Sequence, residues 1–454
     1  MKKALTQEER TKQLLTEPVD KLITALAIPS VASMLITSIY NMADTYFVSQ
    51  LGTQASGAVG IIFSLMAMVQ AFAFMIGQGA GNNMSRALGA GKRELAEKYV
   101  AVAFFTEFFV GVVLAVFSYA FLDKLVYWLG STDTIAPYAK DYATYICIGF
   151  PFIMSSFGLN NILRFQGNST LGAAGMMTGG ILNMVLDPLF IFGFKLGTAG
   201  AAVATTVSQM VSFIIMVYMC NTRPSSIKIR ISNFKPTLNM YKRILIIGLP
   251  SLARQSIMSI TTICFNRAAG PFGDACIAAS SIVNKFLGLI ISVVIGIGQG
   301  FQPVCAQNIG AKQSGRVIEA YRFLVKASFM VTIGFCVISL IFAGPIITAF
   351  RRDDAEVIRI GAMFLRAQAA TLPLFAIIGS TNMLTQSAGY GVKATILSSL
   401  KGLLIIPFVM ILPPLIGIYG LILAQPVADI TATVIALIVI RGVIKNLERG
   451  IYVR

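Results

Sequence analysis

The longest polar stretch within this chain lies at its midpoint, where residues 221–243 read NTRPSSIKIRISNFKPTLNMYKR. Six long apolar runs precede this stretch and six follow it. A helix needs about 20 apolar residues to cross a bilayer, and every run reaches that length. The sequence therefore predicts twelve membrane-spanning helices in two groups of six.

The composition agrees with this prediction. Of the 454 residues, 56% are apolar and only 12% are charged, whereas soluble proteins average about 25% charged residues. One large water-soluble enzyme is thereby excluded, and the long unbroken runs argue against a closed β-barrel, whose strands are short alternating segments. We expect an all-α polytopic membrane protein with spans at residues 24–48, 55–80, 97–121, 138–163, 170–192, 198–220, 244–270, 275–300, 317–343, 356–386, 394–415 and 418–440.

The two halves of the chain repeat each other at a shift of 221 residues, or 220 near their ends. The matched residues are Pro29 with Pro250, Gly52 with Gly273, Gly77-Gln78-Gly79 with Gly298-Gln299-Gly300, Gly89 with Gly310, Gly197 with Gly417 and Gly200 with Gly420. Because six is an even number, both repeats enter the membrane from the same side, and a pseudo-twofold axis along the membrane normal relates them. Two parallel six-helix lobes around a central cavity are typical of transporters.

The loops predict the domain boundaries and the orientation. We expect a cytosolic N-terminal arm at 1–23, an N-lobe at 24–222, a cytosolic linker at 223–243, a C-lobe at 244–442 and a cytosolic tail at 443–454. With the N-terminus in the cytosol, the cytosolic loops and termini, counted together with basic residues in the adjoining ends of the spans, carry 25 of the 36 Lys and Arg residues. The opposite loops, counted in the same way, carry 7. This positive-inside excess predicts that both termini are cytosolic.

The residue inventory limits the possible chemistry. Basic cytosolic loops account for the net charge of +17, so we expect no nucleic-acid partner. The chain has no His, which removes His metal sites, Ser-His triads and His proton relays. The six cysteines are scattered in apolar runs without CxxC spacing, and we interpret them as packing residues. No cofactor is expected.

Acidic residues within the spans are the candidate functional groups, because an ionised side chain at the bilayer centre costs at least about 2.5–3.5 kcal/mol. Asp44 lies near the end of the first span, with Tyr40 and Asn41 close enough to share its helix face. Asn183 and Asp187 stack one turn apart near the end of the fifth span. Both spans run outward, so these side chains lie at similar depth in the outer part of the membrane.

The sixth span returns from the same side and brings hydroxyl groups to that depth, those of Thr205 and Thr206. Such a set of carboxylates, amide and hydroxyls can hold a proton shared between carboxylates or a dehydrated Na⁺ ion. The alternative interpretation is that Asp187 merely starts a loop and Asp44 reaches the outer interface. Matching depth and the absence of nearby Lys or Arg favour the joint site.

The second repeat lacks these acids and carries basic residues instead. Asp44 aligns with Phe265, and Asp187 falls opposite residues 406–407. Arg254 and Lys285 lie about ten residues into their spans. They are candidate cavity charges, which either pair with acids or line the cavity. The acids available for pairing are Asp429 and Glu107, whereas Arg366 and Lys401 lie closer to interfaces and are interpreted as structural.

Repeated helix-bending residues allow two interpretations. Pro29 and Pro250 lie early in the first span of each repeat, where a proline removes one helical hydrogen bond. Each is either a static kink or a hinge. The Gly-Gln-Gly triplets are interpreted as helix ends and close-packing positions, since no Walker or GxGxxG context surrounds them.

Several motifs resemble the multidrug and toxic compound extrusion (MATE) family. They are N-x-A-D-x-x-F-V at residues 41–48, L-N-x-x-L-D-P at 182–188, G-x-x-G-A-A at 197–202 and G-A-G-K at 89–92. The likeness covers essentially the whole chain. It implies a monomeric exporter of the bacterial or archaeal plasma membrane, surrounded by lipid, that alternates access and exchanges amphipathic or cationic drugs for H⁺ or Na⁺.

The resemblance also implies roles for individual residues. The family's first-lobe cation site corresponds to Asp44, Asn183, Asp187 and Thr205, where Na⁺ would bind, with Tyr40 nearby. Pro29 matches the family's bending proline. The NorM-type branch has an acid in its seventh helix, and this chain has none at residues 244–270, so it resembles the DinF-like and MepA-like branches.

The sequence bears on two further functions. A lipid-linked saccharide flippase of the same superfamily shares the architecture, and the basic residues Arg254 and Lys285 keep it open. An intramembrane enzyme is not expected, because the chain lacks His, H-E-x-x-H and G-x-S-x-G motifs and a soluble catalytic domain.

Overall fold

The computed structural model describes residues 5–352 and 354–452. Twelve of its helices are long and apolar enough to cross a membrane, and each corresponds to one predicted span. The helices are α1 (Gln7–Thr16), α2 (Val19–Ser49), α3 (Thr53–Gly89), α4 (Arg93–Ala120), α5 (Leu122–Trp128), α6 (Ala136–Phe165), α7 (Ser169–Pro188), α8 (Gly197–Thr222), α9 (Leu238–Ala269), α10 (Asp274–Gly310), α11 (Ser314–Ile341), α12 (Ala343–Phe350), α13 (Ala355–Ser387), α14 (Gly391–Ile416) and α15 (Ile418–Glu448). The predicted class, an all-α multi-pass membrane protein, is confirmed.

Matched glycines of the two repeats occupy equivalent turns. Gly52 and Gly273 precede the second spanning helix of their repeats, with φ of 114° and 89°. At the start of the sixth spanning helix, Gly197 is the first helical residue of α8 and Gly417 immediately precedes α15, with φ of 57° and 62°. Residues with a side chain rarely adopt positive φ, so glycine at these positions fixes where one helix stops and the next begins. The repeat seen in the sequence is therefore a repeat of backbone conformation.

The chain divides into two compact units whose bounds differ from the predicted lobes. The first unit contains the residues up to Glu17 together with Ala32–Gly248, and the second contains Pro18–Val31 together with everything from Leu249 onward. The first part of α2 thus packs in the second unit, and the first part of α9 packs in the first unit. The chain passes between units within two residues of Pro29 and of Pro250.

Close backbone packing at the Gly-Gln-Gly triplets explains why the first part of α9 packs in the first unit and the first part of α2 packs in the second. In the first unit, a Cβ added at Gly79 of α3 would overlap the carbonyl oxygen of Ile244 in α9. In the second unit, a Cβ added at Gly300 of α10 would lie 2.8 Å from the carbonyl oxygen of Ile23 in α2. These contacts are equivalent under the 221-residue shift. Only glycine lets the two backbones approach so closely.

The triplets are therefore close-packing positions, as predicted, but they do not end their helices. Helix α3 continues past Gly79 to Gly89, and α10 continues past Gly300 to Gly310. The apolar pattern stops earlier because the last turns of α3 carry buried polar residues, among them Asn82 and Asn83. The polar residues in these last turns therefore look like loop sequence, and the predicted helix ends fall too early.

The N-terminal arm contains a helix that docks on the first unit. Helix α1 begins with a capping box, in which the Thr6 hydroxyl accepts from the backbone of Glu9. Leu14 is 1% exposed, and Arg10 donates from Nε to the carbonyl oxygen of Gly167 at 2.9 Å. Glu8 pairs with Arg93 of α4 at 2.7 Å. The arm is therefore part of a folded unit.

Candidate functional site: a buried oxygen cluster in the first unit

Helices α7 and α8 join three of the predicted site residues by hydrogen bonds. Asn183 donates from Nδ2 to Asp187 Oδ1 at 3.0 Å and to Thr205 Oγ1 at 3.3 Å. Asp187 is fully buried, and Asn183 and Thr205 are 2% and 6% exposed. The one-turn spacing of Asn183 and Asp187 places both on the α7 face that meets α8. The predicted grouping of these three side chains is thus present in the fold.

Helix α2 adds Tyr40 and Asp44 to this group. Tyr40 is buried, and Asp44 is close enough to interact electrostatically with both Tyr40 and Asp187. The Tyr40 ring lies against Gly180 of α7, where an added Cβ would be 2.9 Å from the ring. A small residue on α7 therefore makes room for the aromatic ring of α2. We call Tyr40, Asp44, Asn183, Asp187 and Thr205 the oxygen cluster.

Oxygen atoms in the cluster are left without hydrogen-bond donors. Asp44 Oδ1, Asn183 Oδ1 and Asp187 Oδ2 are buried and have no hydrogen-bond partner. No Lys or Arg occurs in Ala32–Ser49 of α2, in α7 or in α8. Buried acceptors without donors are costly, so a site of this kind favours an added proton or cation.

The donor set suits a small hard cation as well as a proton. Carboxylate, amide and hydroxyl oxygens are the ligands that hard metal ions prefer. The described residues contain no group of three or more Cys, Asp or Glu side chains with metal-ligand spacing. Two carboxylates close together can also share one proton.

Tyr142 of α6 belongs beside the cluster and was missed in the sequence. It is 1% exposed and interacts electrostatically with Asp44, Asp187 and Tyr40. Its hydroxyl also lies 3.9 Å from the sulfur of Met66 in α3. A tyrosine in the first turns of a span normally indicates an interfacial anchor. Nothing in the spacing of α6 alone distinguishes a tyrosine that faces three other helices.

Pro29 has the predicted bending role. It lies in the first part of α2, which belongs to the second unit, and is separate from the oxygen cluster. Helix α2 is continuous from Val19 to Ser49 with Pro29 inside it. Fifteen residues separate Pro29 from Asp44 on this one helix. A hinge at this position stays a prediction.

Of the two alternatives left open for the basic candidates, pairing with Asp429 or Glu107 is not found among the described residues. Neither Arg254 nor Lys285 forms a salt bridge within the described part of the chain, and Lys285 is exposed. Asp429 pairs instead with Lys401, which had been interpreted as an interfacial residue. Whether Arg254 and Lys285 line a cavity stays a prediction.

The Lys401–Asp429 pair is buried among three helices of the second unit. Lys401 Nζ of α14 lies 2.8 Å from Asp429 Oδ1 of α15, and the two side chains are 22% and 3% exposed. Thr371 of α13 donates from its hydroxyl to Asp429 Oδ2 at 3.1 Å. The Lys401 ammonium also lies 5.4 Å from the ring centroid of Phe375. The sequence missed this group because its members lie on three helices, and those on different helices are 26 or more residues apart.

A family model and two relatives match most of the length of the chain. The MatE family model matches residues 29–189 and 250–411, one match in each repeat. The chain is 26% identical over 429 residues to the multidrug export protein MepA of Staphylococcus aureus strain N315, covering 93% of this chain and 94% of that protein. It is 24% identical over 416 residues to MepA of Staphylococcus haemolyticus, covering 91% of each.

Solved structures agree with the family match. A MOP-superfamily transporter from Pyrococcus furiosus Vc1, described as having a binding pocket of reversed polarity, is 26% identical with a TM-score of 0.91, and the alignment covers 98% of this chain and all of the other. MATE in the bent conformation gives the same identity and TM-score, with 98% and 99% coverage. An outward-facing MATE transporter also gives 26% and 0.91, with 96% and 98% coverage. With the family model matched in both halves of the sequence, this chain belongs to the MATE family of membrane transporters.

Proposed function

We propose that this chain is a secondary active exporter that moves amphipathic or cationic organic compounds outward in exchange for H⁺ or Na⁺. The observation that supports this most strongly is the oxygen cluster, which holds two acids within membrane spans without a basic partner. Export of drugs is the function named for the MepA relatives. An acid pair of this kind, in a protein of that family, is suited to binding the ion that drives transport.

The coupling ion would act by stabilising one conformation over another. A proton or Na⁺ on Asp44 and Asp187 removes the repulsion between the carboxylates and satisfies the free acceptors. Such binding changes the conformational equilibrium only if the ion's affinity differs between conformations. Drug and ion must therefore prefer different conformations or compete for one. Pro29 is the position on α2 where bending costs least, because its helix lacks one hydrogen bond there.

The proposal includes the orientation and the surroundings. The distribution of Lys and Arg supports cytosolic termini, with the oxygen cluster in the outer half of the bilayer. The protein would lie in the plasma membrane of a bacterial or archaeal cell, as a monomer surrounded by lipid. It needs no cofactor in this scheme, since the ion gradient supplies the energy.

The alternative of a lipid-linked saccharide flippase has little support. It depended on Arg254 and Lys285 as charges of a cationic cavity. The MepA relatives are named as multidrug export proteins, and no ion pair or hydrogen bond of either basic residue with a described residue supports a saccharide site. The exporter is therefore the function we propose.

Drug susceptibility in an efflux-deficient bacterial host tests this function. Wild-type protein should raise the inhibitory concentration of cationic dyes, and Asp44→Asn and Asp187→Asn should each return it to the level of the empty vector. Asp274→Asn is the matched control, because Asp274 is an exposed acid at the start of α10. The amount of protein in the membrane is measured for every variant. Resistance in Asp44→Asn equal to wild type would reject the coupling role of the cluster.

A further inference from the structure

A second buried acid in the first unit is not part of the oxygen cluster. Glu107 of α4 is fully buried, and neither of its carboxyl oxygens has a hydrogen-bond partner. It forms no salt bridge with any described residue. An ionised carboxylate in such a place would carry the full cost of desolvation without compensation. The carboxyl group is therefore neutral in this conformation, which means that it holds a proton.

Two glycines form the space that the carboxyl group occupies. A Cβ added at Gly158 of α6 would overlap Glu107 Oε2, and a Cβ added at Gly77 of α3 would lie 3.2 Å from Oε1. The neighbouring amide, that of Asn161, is engaged elsewhere: its Nδ2 donates to the carbonyl oxygen of Phe157 at 2.8 Å, and its Oδ1 accepts from Arg164 at 2.5 Å. Three helices thus enclose Glu107 and none offers it a donor.

Charged groups on the surrounding helices lie away from this carboxyl. Arg164 of α6 contacts Asn161 and the ring of Phe165. Arg86 of α3 is nine residues beyond Gly77, about 13 Å along the helix. Lys140 of α6 pairs with Asp123, at the far end of its helix from Gly158. The remaining charges on these helices are Arg93, Glu94, Glu97 and Lys98 at the start of α4, Asp123 and Lys124 in α5 and Asp141 near the start of α6. Helix α9 also meets α4, where Tyr241 hydrogen-bonds Thr106, and it carries Lys242 and Arg243 next to that tyrosine. No cation is placed to hold Glu107 ionised.

The position of Glu107 along the membrane differs from that of the oxygen cluster. Glu107 is 13 residues before the end of α4, about 20 Å, whereas Asp44 is 5 residues before the end of α2, about 8 Å. Both helices run in the same direction in the predicted topology. Glu107 therefore lies about 12 Å closer to the cytosolic side than Asp44. That depth lies between the oxygen cluster and the cytosolic side in the predicted topology.

We propose that Glu107 is a second proton-binding site of this transporter, separate from the oxygen cluster, and that it exchanges its proton with water during the transport cycle. This inference rests on the proposed function for its role in transport but not for its protonation. Any shift of α3 or α6 against α4 changes the contacts of Gly77 and Gly158 with the carboxyl group. Such a shift would admit water or a donor and allow the proton to leave.

Infrared spectroscopy of the purified protein in lipid nanodiscs tests the proposal. The carbonyl stretch of a protonated carboxyl group is distinct from that of a carboxylate and moves when deuterium replaces the proton. In an Asp44→Asn, Asp187→Asn background, we expect a protonated-carboxyl band that Glu107→Gln removes. We expect the same band to shift on transfer to D₂O. Glu94→Gln is the matched control, because Glu94 is an exposed acid on the same helix.

Three results would overturn the proposal. If Glu107→Gln leaves the band unchanged, Glu107 is ionised. If the band is lost in that variant but does not move in D₂O in the parent protein, Glu107 is a permanently neutral packing group. In the otherwise wild-type protein, Glu107→Gln should also reduce dye efflux driven by a pH gradient at least tenfold, and wild-type efflux in that variant would contradict the proposal too. Failure of the proposed function is a different outcome, since it would appear as normal efflux in Asp44→Asn with the Glu107 band intact.

Discussion

Lys401 places its ammonium group 2.8 Å from the carboxylate of Asp429, inside two membrane spans of the C-terminal repeat. Helices α14 and α15 correspond to α7 and α8 of the N-terminal repeat, where Asp187 has no basic partner. At the 220-residue shift, Lys401 corresponds to Ile181 and Asp429 to Gln209. The same helix pair thus carries an acid paired with a lysine in one repeat and an acid without a basic partner among the described residues in the other.

Removing the paired lysine should destabilise the second unit. Lys401→Met leaves Asp429 buried without its partner, and loss of one member of a buried ion pair costs about 3–5 kcal/mol. Thermal unfolding in detergent should show a lower midpoint for Lys401→Met and recovery in the Lys401→Met, Asp429→Asn double variant. Equal stability of the single variant and wild type would mean that the pair contributes nothing.

The packing of the first part of α9 in the first unit should depend on Gly79. The packing of the first part of α2 in the second unit should depend on Gly300. Gly79→Ala would force the backbones of α3 and α9 apart, and overpacking of this kind costs about 1–3 kcal/mol or more. Gly300→Ala should do the same to α10 and α2. Gly60→Ala and Gly288→Ala are matched controls on the same helices, because an added Cβ has nothing within 4 Å at either position. If all four variants unfold at the same temperature, the close contacts are not needed.

The hydroxyl group of Thr205 should tune ion affinity. Thr205→Val keeps the shape but removes the acceptor for Asn183, and one hydrogen bond contributes about 1 kcal/mol, or roughly a fivefold change in an equilibrium constant. The concentration of the coupling ion for half-maximal efflux should rise about fivefold in Thr205→Val and stay near wild type in Thr205→Ser. An unchanged ion dependence in Thr205→Val would exclude this oxygen from the ion site.

Substitution of Pro29 tests whether this proline is a hinge or a static kink. Pro29→Ala restores a helical hydrogen bond, so the protein should fold at least as stably as wild type. If bending of α2 is part of transport, efflux should fall while expression and the unfolding midpoint are maintained. Efflux equal to wild type would assign Pro29 to static packing, and Pro250→Ala in α9 provides the comparison for the other repeat.

The number and order of the spanning helices could be predicted because they depend on local patterns. Long apolar runs give helices, and matched glycines such as Gly52 and Gly273 give the turns between them. The helix ends at Gly89 and Gly310 could not be placed, since buried polar residues before them look like loop sequence. The packing of the first parts of α2 and α9 could not be predicted either, because it depends on which backbone lies against Gly79.

The oxygen cluster could be predicted in part for a similar reason. Asn183 and Asp187 are one turn apart, so their shared face follows from helix geometry alone. Tyr142 and the Lys401–Asp429 pair depend on contacts between helices far apart in the sequence. Glu107 was recognised as an acid within a span, but its isolation is a property of Gly77 and Gly158 on two other helices.

Dye efflux from inverted membrane vesicles tests the central claim most directly, because pH and Na⁺ gradients can be imposed separately. Vesicles with the wild-type protein should accumulate a cationic dye when one of the two gradients is applied, and vesicles with Asp44→Asn should not respond to either. Dye transport by wild type that ignores both gradients, or transport by Asp44→Asn that follows them as wild type does, would contradict the account.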